Sequence, residues 1–420
     1  MEWVSSIYNQ LNMASLAAGA ILGTVCGMLI PRIAVSLSSA IMSFKRNQRK
    51  KFLESGKVHK WLLDYYRGRG ALNDLYVCVI GGSESRIPFF TKRDWQGTTL
   101  IAPHSDDIVV HKQASPYVAK VNMRMLKKRH NLGQRIFGGG DTLCLDRITD
   151  HGSLQLHVRR CRFYQMATAL VSLEEETFRT ARWGRLFHTP IRDESLSSLE
   201  VAGKVNTLPY STGCTVALAF REENSYELAL HTRSHSTMTF GGTKAVIPNF
   251  GLEPNSSERG KSEYSILFHN FLREYCEELF DYEQLIDTQK ERRPSPDWFT
   301  QLPEASKILE LQSDGKFELY FLGFGIDALN GTGNIALLAI IEDIDTIKSI
   351  RMSMKANWEV GAGSSTSESI EFIDIYDERL ETWLKNHRIQ YGSAFTLALA
   401  IKQLEALMEN RKLKGTDDQV

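Results

Sequence analysis

The stretch Arg273-Glu274-Tyr275-Cys276-Glu277-Glu278-Leu279 limits what this chain can be more than any other. Read as a helix, it places Glu274, Glu277 and Glu278 at i, i+3 and i+4, so three carboxylates gather on one face. Like charges that close repel. They need Arg273 beside them, a divalent metal, or simply water around an exposed acidic face.

The residues before the stretch narrow the choice. Cys214–Arg221 and Tyr226–Arg233 are strand-like runs separated by the polar turn Glu222-Glu223-Asn224-Ser225, which reads as a hairpin. Arg233-Ser234, a Gly241-Gly242 step and the turn Ile247-Pro248-Asn249-Phe250-Gly251-Leu252-Glu253-Pro254 then lead into the helix. Hairpin, glycine-bearing turn and a helix carrying Arg-Glu-x-x-Glu-Glu together resemble the Nudix superfamily over roughly residues 205–415. The resemblance implies an α/β/α sandwich. It also implies magnesium on Glu274, Glu277 and Glu278 against a nucleoside diphosphate group, with Arg273 orienting the carboxylates.

The departures from the family pattern are as specific as the match. Gly251 to Arg273 is eight residues longer than the family spacing, with a polar stretch from Asn255 to Lys261 in which Glu258 is the nearest candidate for the isolated acid. Tyr275 stands at an aliphatic position and Phe280 where the family has Gly. The box reads as degenerate, which favours ligand binding over hydrolysis and leaves enzymatic activity an open question. Arg233, Gly251 and Arg273 are the nucleotide-binding candidates; Arg233 enters because it ends a strand near the turn.

A second stretch bears on location. Residues 14–31 carry no charge, and the uncharged run extends from Glu2 to Arg32, long enough at 1.5 Å per residue to cross roughly 30 Å of hydrocarbon. This reads as one membrane span; a signal peptide is the rival, but the basic residues follow the apolar run instead of preceding it. Lys45, Arg46, Arg49, Lys50 and Lys51 just beyond it place the remainder in the cytoplasm and the N-terminus outside. Ser15, Gly19, Gly23 and Gly27 recur every fourth residue, a small-residue stripe on which membrane helices associate.

Composition adds little. Lys plus Arg equals Asp plus Glu at 50 each, so no global field marks a polyanionic partner such as DNA. Six scattered cysteines without a close pair read as buried thiols in a reducing compartment. Arg124–His130 and Arg159–Arg162 are basic clusters, read as solvated faces or contacts for anionic lipid or phosphate. Leu397, Ile401, Leu404 and Met408 form a core-facing stripe on a closing helix.

The expected architecture is therefore α/β: an extracytoplasmic N-terminus (1–13), a transmembrane helix (14–31), and a basic and amphipathic juxtamembrane segment (32–69). An α+β region without assigned role (70–204), a cytoplasmic Nudix-like sandwich (205–415) and a tail (416–420) come after it. A membrane span joined to such a unit resembles the transmembrane Nudix effectors that accompany bacterial cyclic-oligonucleotide synthases in anti-phage defence. That resemblance implies a cyclic di- or trinucleotide ligand, a homo-oligomer and disruption of the bacterial inner membrane. The alternatives are a membrane-anchored, magnesium-dependent Nudix hydrolase and a tethered scaffold with no nucleotide affinity.

Overall fold

The computed structural model describes residues 40, 43–44, 47–49, 51–52, 55–105, 108–111, 123–131, 140–150, 154–183, 188–204, 208–234, 237, 240–257, 260–282, 296–355 and 370–417. The chain divides into two units, Met1–Arg49 and Lys50–Val420; in the first, the described positions are helical. The second holds all the named elements.

It opens with helix α1 (Lys57–Gly68) and the hairpin β1 (Leu75–Ile80) and β2 (Ser83–Phe90), turned by Gly81 and Gly82 at positive φ. Strands β3 (Gln96–Leu100) and β4 (Ile108–His111), helix α2 (Met123–Asn131), and strands β5 (Asp141–Thr149) and β6 (Gln155–Arg162) come next. Helices α3 (Phe163–Trp183), α4 (Pro190–Ser195) and α5 (Leu199–Gly203) lead to the hairpin β7 (Thr212–Arg221) and β8 (Tyr226–Thr232). Short strands β9 (Lys244–Val246), β10 (Asn249–Gly251), β11 (Ser256–Ser257) and β12 (Gly260–Lys261) precede the acidic helix α6 (Ile266–Phe280). Then come α7 (Pro303–Ser313), the hairpin β13 (Phe317–Asp327) and β14 (Gly333–Ile341), α8 (Ile344–Ser353), β15 (Ile370–Asp374), α9 (Glu378–Lys385) and α10 (Tyr391–Asp417).

A ten-stranded sheet runs β1-β2-β13-β14-β7-β8-β15, with β3 on β13, β9 on β8 and β10 on β7. Pairing is antiparallel except where β14 meets β7, in register from Gly333 opposite Thr212 to Ile341 opposite Phe220. Every residue of β14, and every residue of β7 but Arg221, is buried. Such unbroken apolar runs suit strands covered on both faces. The hairpin expected at Glu222–Ser225 is present, and a second one turns through Asn330–Gly333.

Helix α10 lies along this sheet and touches β1, β2, β7, β9, β13 and β14. Its stripe of Leu397, Ile401, Leu404 and Met408 is buried as the periodicity predicts. Each such side chain contributes roughly 1.5–3 kcal/mol on leaving water. A second, three-stranded sheet in the order β4-β6-β5 abuts the first, with Leu143 N–H donating to Leu252 O and Leu145 N–H to Tyr210 O, both at 2.9 Å.

Two expectations are corrected. The fold is mixed α/β with a half-barrel sheet, not a membrane helix followed by an α/β/α sandwich. Strands from 70–204 and from 205–415 are woven into one sheet, because β2 and β3 both hydrogen-bond to β13. The span expected over 14–31, with Ser15, Gly19, Gly23 and Gly27, lies outside the described residues. Among the described residues no helix is long and apolar enough to cross a membrane. No described helix supports the single-pass topology, the inner-membrane address or the membrane-disrupting effector built on them.

The cysteine reading is corrected in part. Cys78, Cys214 and Cys276 are buried thiols, but Cys144 and Cys161 form a disulfide across β5 and β6 with Cα atoms 6.2 Å apart. Seventeen residues separate them in sequence, so no close-pair motif announces the bond.

Candidate functional site

Strand β8 leads directly into Arg233, whose backbone is fixed on both sides by the loop beyond it. Its N–H donates to Thr243 O at 2.9 Å, and Gly242 N–H donates to its carbonyl at 2.8 Å. That tight return needs positive φ at Gly242 and also places Phe240 at φ 54°. The side chain is only 8% exposed, yet its Nε and Nη1 atoms are buried with no hydrogen-bond partner. A buried donor left unmade costs about 1–3 kcal/mol, more when charged. An anion brought to this guanidinium recovers that energy.

Arg233 lines a cavity of about 160 Å³ shared with Phe163, Met166 and Leu170 on one side and Asn249, Asp327, Asn330, Asn334 and Gln390 on the other. Phe163, Met166 and Leu170 come from α3, and the polar residues from strand ends and turns of the main sheet and, for Gln390, from the entry to α10. Region 70–204 thus supplies one wall, and the sheet the rest.

The polar wall is ordered from behind. Asn249 Nδ2 donates to Gln390 Oε1 at 2.5 Å, and Asn334 Nδ2 donates to Thr215 Oγ1 at 2.7 Å. With one end of each amide committed, its orientation is set. Asp327 Oδ1 accepts Leu329 N–H at 2.8 Å, closing the turn between β13 and β14. Burial pushes the Asp327 carboxyl up to about 7, against the opposing pull of the Leu329 and Asn330 N–H groups and of Arg192. Arg192 is fully buried behind that turn and donates to Ala328 O, to Leu329 O at 2.6 Å and to Thr177 Oγ1 at 2.5 Å. Beside Arg233, His231 is held well below the usual histidine range by burial, with Arg233 and Lys244 adding to the effect.

The acidic helix stands behind this wall. Ser265 caps it by accepting Phe268 N–H, and its residues are nearly all buried, so the solvated acidic face is excluded. Arg273 donates to Glu274 Oε1 at 2.6 Å and to Glu277 Oε1 at 3.1 Å, and lies 3.4 Å from Glu253 Oε2. Burial draws the guanidinium pKa down, but Glu253, Glu274 and Glu277 outweigh it and hold it raised. Glu274 is pushed well above the usual carboxylate range by burial, which Arg273 opposes and the neighbouring glutamates reinforce. The two directions fit together: crowding by Glu253, Glu277 and Glu278 favours the protonated form of Glu274 and the charged form of Arg273.

Glu278 faces elsewhere. Both of its oxygens accept Asn249 N–H, at 3.2 and 3.1 Å. Asn270 continues the seam, accepting Glu253 N–H and donating to Glu253 O, each at 2.9 Å. The helix is stitched to the segment 249–253, one edge of the cavity.

These contacts test the expected magnesium site. The cation amid Glu274 and Glu277 is Arg273, and Glu278 is turned to a backbone N–H. Among the described residues no group of three or more His, Cys, Asp or Glu side chains converges as a metal site would require. As placed, Arg273, Glu274, Glu277 and Glu278 do not present the open set of carboxylates that magnesium needs, and the stretch serves as a structural strut. Of the nucleotide-binding candidates, Arg233 and Gly251 line the cavity, whereas Arg273 is in the strut. Glu258 lies outside the described residues.

The basic clusters are largely consumed internally. Arg129 is buried against Glu174 at 2.6 Å, Arg159 meets Asp146 at 2.5 Å, and Arg162 meets Asp141 at 3.2 Å. Sequence reading missed Asn249, Asp327, Asn330, Asn334 and Gln390. The turn containing Asn249 was visible, but nothing linked Gln390 to Asn249, 141 residues away. It also missed Ser262, His269 and Asp297, which form a buried triplet. Ser262 Oγ and Asp297 Oδ1 both sit on His269 Nδ1, at 3.0 and 2.9 Å, so the ring does not relay between them as a catalytic histidine would.

Compared with known proteins, the chain matches no family model and no curated protein.

Proposed function

We propose that this chain is a binding protein for a small anionic ligand with a planar, hydrogen-bonding heterocycle, of which nucleotides are the natural class. The observation that carries this reading is Arg233: a guanidinium nine-tenths buried, with unpartnered donors, in a cavity of oriented amides and apolar side chains. Guanidinium answers phosphate, committed amides answer the edge of a base, and Phe163, Met166 and Leu170 answer its face.

Size refines the ligand. Pockets for drug-sized ligands run about 300–1,000 Å³. A cavity of about 160 Å³ has room for no more than one base with its phosphate against Arg233, so a cyclic di- or trinucleotide would seat one arm and leave the rest outside. The order of hairpin, turn and acid-bearing helix supports a Nudix-like ancestry in which the helix now braces the cavity. Binding is then independent of a divalent metal.

Titration calorimetry of the full chain against AMP, GMP, cyclic dinucleotides, cyclic trinucleotides and inorganic phosphate tests this. At least one nucleotide should bind with and without EDTA. Arg233→Gln should weaken it by roughly 10- to 100-fold, the worth of one charged hydrogen bond. Absence of binding throughout the panel, or binding that requires magnesium, would sink the proposal.

A further inference from the structure

The disulfide lies directly behind the apolar wall of the cavity. Cys144 and Cys161 are both buried, and they form one small cluster with Met166 and Leu170, against which Phe163 packs. The three α3 residues of that cluster are the same three that line the cavity. The backbone of Cys144 also bridges to Ser211, another lining residue. On either side, Leu143 and Leu145 hydrogen-bond to Leu252 and Tyr210, and Thr142 Oγ1 donates to Leu252 O at 3.0 Å. Strand β5 therefore grips both chain segments that flank the cavity, Tyr210–Gly213 and Phe250–Leu252, while its cysteine holds the helix side.

We infer that the Cys144–Cys161 bond is a redox-sensitive staple on this cavity, whose reduction loosens the wall and lowers ligand affinity. The inference rests on the ligand-binding reading for its consequence, though not for its structural part. A dithiol supplies the electrons. Its thiolate attacks one sulfur, the protein S–S bond breaks as a mixed disulfide forms, and the second thiol closes the reagent's own disulfide. Two electrons pass to the protein and two protons end on Cys144 and Cys161. The β5–β6 ladder persists, since it is made of backbone hydrogen bonds and buried thiols pack as small apolar groups. What is lost is the covalent restraint between the strand gripping the cavity edge and the strand that leads into α3. Linkage makes the effect mutual: a ligand that favours the stapled wall resists reduction by the same factor.

The test is hydrogen exchange on the full chain before and after dithiothreitol, with AMP and inorganic phosphate titrated in both states. Peptides covering 141–149, 163–170 and 208–213 should exchange at least tenfold faster after reduction, while those in β13 and β14 should not change. AMP affinity should fall severalfold. A Cys144→Ala/Cys161→Ala variant should behave as the reduced protein and ignore dithiothreitol. Unchanged exchange on reduction, or equal AMP affinity in both states, overturns the inference. Faster local exchange with no AMP or phosphate binding in either state upholds the staple and counts against the nucleotide reading instead.

Discussion

Glu278 accepts the backbone N–H of Asn249 on both carboxylate oxygens, at 3.2 and 3.1 Å, which ties the acidic helix to a residue lining the cavity. Removing the acceptor leaves that part-buried N–H unmade, at a cost of about 1 kcal/mol. Glu278→Ala should therefore both destabilise the fold and weaken ligand binding. Glu278→Gln, which keeps one acceptor oxygen, should restore most of each. Urea denaturation and calorimetry on the two variants separate this positioning role from metal ligation, for which Gln would be nearly as damaging as Ala.

Arg273 pairs with Glu253, Glu274 and Glu277. Arg273→Met leaves buried carboxylates without it, and breaking a buried pair from one side costs roughly 3–5 kcal/mol. Because protonation relieves the orphaned charge, the loss should be smaller at pH 5 than at pH 8. Urea midpoints at the two values measure this, and an equal loss at both would exclude the electrostatic account.

Asp327 carries the opposite sign of dependence from an ion-paired acid. Its folded pKa is raised to about 7, so between the unfolded value and about 7 the native state binds more protons than the unfolded one. Stability therefore falls as pH rises through that window and levels off above it, by an amount on the order of 4 kcal/mol. Asp327→Asn keeps an acceptor for Leu329 N–H but cannot ionise. It should flatten the slope between pH 4 and 7, as read by chemical denaturation across that range.

Gly213 lies where β10 crosses β7. A Cβ there would meet Phe250 O at 2.7 Å, closer than real Cβ contacts come. Gly213→Ala should force the two strands apart, cost about 1–3 kcal/mol and disturb the cavity, since Gly213, Phe250 and Gly251 all line it. A thermal melt within a degree of the parent would refute the close-approach argument.

One hairpin of the main sheet and the closing helix were legible because their signals are local. The hairpin is announced by apolar runs around the polar turn Glu222–Ser225, and the stripe from Leu397 to Met408 by its spacing. The helix of Arg273 was legible too, but its chemistry was not. Three carboxylates at i, i+3 and i+4 look the same whether they face a metal, water or an arginine, and only burial and the partners Glu253 and Asn249 decide. The cavity was hidden for a different reason. Its residues, several of them ordinary amides, are scattered from Phe163 to Gly392 and brought together by packing and strand pairing that no single stretch encodes.

Helix α10 rests on strands drawn from β1 through β14, and β2 reaches β13 across more than two hundred residues of chain. Contacts so distant in sequence close slowly, since the intervening loop entropy must be met before they reward it. On the ribosome, β1 and β2 emerge well before β13, and the seat of α10 stays vacant until residues 391–417 are made. Nascent chains of this protein should thus expose an unfinished greasy trough throughout most of their synthesis, making them natural clients of chaperones that guard the exit tunnel.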